Sequence, residues 1–297
     1  MKTLHPSSFV FAAALSAFAM TATPAWADTF QFSTGNPDGR IATLSRLASG
    51  GTIQTETADD FVLGQATQLT HATFIGLIPL GSPLSSVSQV EIEFYHVFPG
   101  DSAIPPSGKV PVRDNSPGDV EIGSATRDSA DASLSFSVSV LNPSFSASNS
   151  VVNGIHPLPG IFTGGEGSVT GQEVQINVTF AVPVDLAADH YFFRPEALLS
   201  NGEFLWLSTA KPIVAPGTPF AADLQTWIRN DDLAPDWLRI GTDITHQGPF
   251  NAAFSLEGTT AAVPEPGSYA LMLFGLAGVG VAARRRAHFA GRSTLSK

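Results

Sequence analysis

None of the 297 residues is a cysteine. Disulfides are therefore excluded, and a stable domain has to come from burial of an apolar core alone. Basic side chains are scarce as well, with 15 Lys and Arg against 26 Asp and Glu and a formal net charge of −11. A surface of that sign repels phosphate backbones, which argues against nucleic acid as a partner. No internal repeat recurs at a fixed period, so propellers and solenoids are not expected. The familiar catalytic signatures are also missing, among them the G-x-S-x-G elbow and H-E-x-x-H. The glycine-rich stretch Gly164 to Gly171 has no lysine after its last glycine and is followed by a strand pattern, so it reads as a loop rather than a phosphate cradle.

Both ends of the chain read as processing segments. Lys2, the apolar region Phe9 to Met20 and the small-x-small sequence Ala25-Trp26-Ala27 form a signal peptide over 1–27, with signal peptidase expected to cut after Ala27. Near the other end, Pro264-Glu265-Pro266 precedes an apolar run over 267–283 and the cluster Arg284-Arg285-Arg286. The two prolines favour extended geometry and withdraw two amide donors, which keeps this segment out of a sheet and open to a protease. As a helix the 17-residue run spans about 25 Å, short of a hydrocarbon core of roughly 30 Å, so it suits a transient inner-membrane span better than a permanent anchor. The three arginines act as a membrane stop and place the tail 288–297 in the cytoplasm, leaving the domain outside.

Between these segments lies an exported domain over 28–262, where 25 acidic and 9 basic side chains leave a formal charge near −16. Its dominant pattern is alternation with period two, the mark of strands with one buried face. Val90, Ile92 and Phe94 alternate with Glu91 and Glu93. Leu134, Phe136, Val138 and Val140 alternate with serines, and Val174, Ile176, Val178 and Phe180 alternate with Gln175, Asn177 and Thr179. Phe250, Ala252, Phe254 and Leu256 repeat the scheme. Less regular strands are expected at 29–33, 58–63, 69–78, 120–124, 191–193, 204–208 and 237–240, with Pro- and Gly-rich turns between them. The fold expected is all-β: an antiparallel, jelly-roll-like β-sandwich. A long loop over 142–171 and one helical turn near 221–228 are expected within it.

Candidate chemistry is thin. His71, His96, His156, His190 and His246 show no metal-ligand spacing, although Asp189 beside His190 and Asp243 near His246 offer acid, base or ligand groups. Glu91 and Glu93 share a strand face, read as solvated. Asp114, Asn115, Asp119 and Glu121 bring four oxygen-bearing side chains within eight residues and form a candidate Ca²⁺ loop; no other cofactor is expected. Trp227 and Trp237 stand beside polar neighbours and are candidates for an exposed glycan platform, with core packing as the competing reading.

The tail resembles the PEP-CTERM sorting signal over Val263 to Ala287, in the same order of parts: Pro264, Glu265, Pro266, one apolar helix, then Arg284, Arg285 and Arg286. The resemblance implies a bacterium with an outer membrane and an exosortase partner that processes the tail. It also implies a role at the cell surface or in an exopolysaccharide-rich biofilm matrix. Asp28 to Glu257 is similar to exported domains of uncharacterised members, which adds no catalytic residue. The expectation is a non-enzymatic, exosortase-sorted exported protein. A carbohydrate-binding module and, behind it, a glycan-active hydrolase are the alternatives.

Overall fold

A computed structural model describes residues 28–98, 109–155, 162–210, 224–261, 273–281 and 284. Two units separate: Ala27–Ala261, and Met1–Trp26 together with Ala262–Lys297. The first unit is built of strands. In chain order they are β1 (Thr29–Ser33), β2 (Ile41–Leu44), β3 (Thr55–Leu63), β4 (Thr67–Ile78), β5 (Val87–His96), β6 (Arg127–Asp128), β7 (Leu134–Ala147) and β8 (Asn149–Val151). They continue with β9 (Val169–Leu186), β10 (Asp189–Leu199), β11 (Leu205–Thr209), β12 (Trp227–Asn230), β13 (Leu238–Arg239), β14 (Asn251–Ala252) and β15 (Phe254–Thr260).

These strands form two sheets. The smaller runs β13-β12-β3-β10-β5-β6. The larger has nine strands along the path β1-β15-β4-β11-β2-β8, with β14 on β11 and β9 bridging β4 to β7. Pairing is antiparallel except at β2–β8. The all-β expectation therefore stands, but with nine and six strands the architecture is larger than an eight-stranded jelly roll.

Period-two patterning explains how the sheets meet. Val90, Ile92 and Phe94 of β5, Phe61 of β3 and Phe193 of β10 face Phe74 of β4, Val174 and Ile176 of β9, and Phe254 of β15 in one buried cluster. Aromatic rings carry much of the contact between the layers: Phe193 stacks on Phe254 at 5.0 Å and meets Trp206 edge-on at 6.0 Å. The Trp206 indole N–H donates to the Ala253 carbonyl at 2.8 Å, so this large side chain is buried with its polar edge satisfied.

Three local expectations change. Residues 120–124 form no strand; the edge of the smaller sheet is instead β6, at Arg127–Asp128. The long loop over 142–171 is shorter, because β7 runs on to Ala147 past Pro143, β8 follows at once, and β9 starts at Val169. Trp227 and Ile228 lie in strand β12 rather than a helical turn, since their backbones pair with Ala58 and Thr57. In the second unit, residues 273–281 are helical, with Leu273, Phe274, Leu276, Val279 and Val281 exposed. No helix of the described residues is long and apolar enough to cross a membrane.

Candidate functional site

The densest chemistry of the described residues lies on the face of the smaller sheet turned away from the shared core. Alternation that sends Val90, Ile92 and Phe94 inward sends Glu91, Glu93 and Tyr95 to this face. Register places Arg194 opposite Glu93, and Glu196 opposite Glu91. From β3 comes Glu56, opposite Arg229 of β12. Apart from the partly exposed Glu91, these side chains are withdrawn from solvent. Arg194 is 1% exposed and Glu196 0%.

Two guanidinium groups organise the cluster. Arg194 forms ion pairs with Glu56, Glu91, Glu93 and Glu196, at 3.4 Å to Glu56 and 3.1 Å to Glu91. Arg229 pairs with the other oxygen of Glu56, so Glu56 bridges the two arginines. The Tyr95 hydroxyl lies 3.0 Å from Glu56 and 2.6 Å from Glu93, and accepts from Arg229 at 3.1 Å. Arginine suits this role because its planar fork offers five donors and stays charged when buried.

Four carboxyls around two guanidiniums leave excess acid, and protons accommodate it. Burial pushes Glu196 up to about 8; the charges of Glu56 and Glu91 add to that, against the pull of Arg194. Glu91 is raised too, chiefly by burial, with Glu93 and Asp128 adding repulsion. Glu56 goes the other way: burial pushes it up, but Arg229 and Arg194 together hold it below the ordinary carboxylate value. Burial thus favours the protonated form of Glu196, while the two arginines favour the ionised form of Glu56. The Glu196 Oε2 atom accepts from Gln54 at 2.8 Å, whereas its Oε1 has no hydrogen-bond partner.

Loops cover this face. Arg113 pairs with Asp119 and, at 2.8 Å, with Asp236, and it lies 4.3 Å above the Phe98 ring. Trp237 donates to the Gly118 carbonyl at 3.3 Å. Glu91 and Glu93, expected to be solvated, are therefore both partners of Arg194 on strand β10, pairings of long sequence separation that no local pattern displays.

The tryptophan platform is not what the fold makes. Trp227 and Trp237 are each 1% exposed and pack with Ala58, Tyr95, Phe192 and Leu224. Their indole faces are spent on the core. The proposed Ca²⁺ loop is also taken apart: the Asp119 carboxylate is buried on Arg113, while Asp114, Asn115 and Glu121 are exposed. Among the described residues no group of three or more His, Cys, Asp and Glu could hold a metal ion. His190 is buried 2.7 Å from Asp60, not against its neighbour Asp189, which instead lies 3.5 Å from His96. Asp243 engages Arg239 rather than His246. His71 is exposed beside Thr70, and His156 lies outside the described residues. In the glycine-rich loop, Gly164, Gly165 and Gly167 take positive φ, and the Asn149 side chain ties it down by donating to Gly164 and accepting from Gly167.

The remaining sequence signal is the tail. Residues 262–286 match the PEP-CTERM protein-sorting motif. The match supports an exosortase substrate, exported and passing through a membrane before it reaches the surface. No curated protein and no solved structure matches the chain. Pro264, Glu265 and Pro266 lie inside the motif but outside the described residues, as do Arg285 and Arg286; Arg284 is helical. Ala25 and Ala27, the expected signal cleavage site, also lie outside the described residues.

Proposed function

We propose that this chain is delivered by its N-terminal signal and its PEP-CTERM tail to the cell surface or the extracellular matrix, where residues 28–262 act as a non-enzymatic β-sandwich. The observation that carries the reading is the sorting motif over 262–286, directly after the last strand. In this reading signal peptidase removes 1–27, the run 267–283 spans the inner membrane in transit, and exosortase cuts near Pro264-Glu265-Pro266. Exopolysaccharide is the proposed surroundings of the mature domain, and a Ca²⁺ requirement is not part of the proposal. The buried carboxyl cluster supports a structural role for this sheet face, since its charges are consumed by one another.

Deleting Pro264 to Arg286 and fractionating the cells tests the proposal. The expected result is loss of tail processing and of membrane-associated precursor. Unchanged processing and retention would overturn it.

A further inference from the structure

The larger sheet ends in an open edge. Strand β7 pairs with β9 on one side, and among the described residues no strand pairs with its other side. An edge of this length ordinarily carries charge to prevent further pairing. Yet the 14 residues of β7 include no Asp, Glu, Lys or Arg, in a domain with a formal charge near −16. Its core-facing side chains become steadily more open along the strand. Leu134 is 3% exposed, Phe136 and Val138 are half-buried against the core, and Val140 is 44% exposed. The opposite side carries the exposed hydroxyls of Ser135, Ser137 and Ser139.

From Leu134 to Val140 the ladder with β9 is regular, and the register shifts only beyond Val140. The centre of that straight stretch is Ser137. We propose that β7 is a self-association edge, on which a second copy of this chain pairs antiparallel about a two-fold axis through Ser137. That register sets Leu134 against Val140 of the second copy, Phe136 against Val138, and Ser135 against Ser139. Because residues opposite each other in an antiparallel pair point to the same side, the apolar row is completed on one face and the hydroxyl row on the other. The half-buried Phe136 and Val138 then gain cover from each other's copies. A charged or bulky foreign strand has no such match, whereas the strand's own sequence supplies it in reverse. Pairing is opposed by the entropy cost of association and by repulsion between two acidic domains, the latter screened by salt.

The absence of native cysteine makes the test direct. Cα atoms of facing residues in antiparallel strands stand about 4.5–5.5 Å apart, within the reach of a disulfide. In the full-length exported chain, Ser137→Cys is expected to give a reducible dimer of twice the chain mass. Chains with Ser135→Cys and Ser139→Cys are expected to link when co-expressed, and Thr179→Cys, one strand further in, is expected not to link. Adding Val140→Lys to Ser137→Cys should lower the linked fraction about tenfold or more without changing the melting temperature, and raising salt should increase it. The proposal is overturned if folded Ser137→Cys chains stay monomeric, if Thr179→Cys links equally well, if Val140→Lys leaves the linked fraction unchanged, or if the linked species contains another protein.

Discussion

The guanidinium of Arg229 lies 4.3 Å from the centre of the Trp237 ring, and both side chains are buried on the outer face of the smaller sheet. Arg229 also accounts for part of the charge of Glu56 there. Together the two residues join the covering loop to the sheet by a cation–π contact, an ion pair and ring packing.

Trp237→Ala removes a large side chain with almost no exposure, together with the indole donor to Gly118. A loss of about 3–5 kcal/mol in unfolding free energy is expected from truncation of a buried Trp, measured by urea denaturation. If Trp237 instead faced solvent, the loss would be within about 0.5 kcal/mol.

Arg229→Ala leaves Glu56 buried beside Arg194 alone. Breaking one partner of a buried pair is expected to cost about 3–5 kcal/mol. Replacing both, as in Arg229→Met with Glu56→Gln, removes the stranded charge and is expected to recover much of that loss. Thermal melts of the single and double variants give the comparison.

Stability is expected to fall with pH across the range set by Glu196. An unfolded glutamate loses its proton near 4.5, whereas folded Glu196 keeps it up to about 8. Between those values the folded state binds the extra proton, so rising pH favours unfolding, by at most about 1.4 kcal/mol per pH unit for one group. Glu196→Gln removes this contribution. The difference between the variant and the native chain should grow from about pH 4.5 to about pH 8 and then level off. A constant difference would refute the assignment of the retained proton to Glu196.

Gly76 allows β4 and β11 to approach closely. A Cβ there would stand 2.3 Å from the Phe204 ring and 2.5 Å from the Leu205 carbonyl oxygen. Gly76→Ala is expected to cost about 1–3 kcal/mol through overpacking, read from the shift in denaturation midpoint.

The inward-facing residues were legible in the sequence because alternation is local. Val90, Ile92 and Phe94, and likewise Val174, Ile176 and Val178, lie in the core where period two places them. What covers the other side of a strand is not local. Glu91 and Glu93 carry the same alternating signal whether they meet water or Arg194, which is about 100 residues away. Trp227 and Trp237 were ambiguous for the same reason: polar neighbours such as Arg229 and Asp236 suggest a wet site, but those neighbours are themselves buried in pairs. Unlike the sheets, the sorting segment could be read from the order of its parts alone.

Strand β15 lies between β1 and β4, with Thr29 opposite Thr259 and Phe254 opposite Phe74. The larger sheet therefore stays split until the last strand of the domain arrives, and neither β1 nor the adjoining edge of β4 has its partner before then. Completion of the larger sheet requires the chain up to Thr260. The proposed cleavage near Pro264-Glu265-Pro266 lies beyond that strand and would leave it in the mature domain. A chain ending at Ala253 should accordingly be digested by a protease that leaves the full domain intact. The order of strands makes the closing of the sheet depend on the last stretch of the domain, just ahead of the sorting motif.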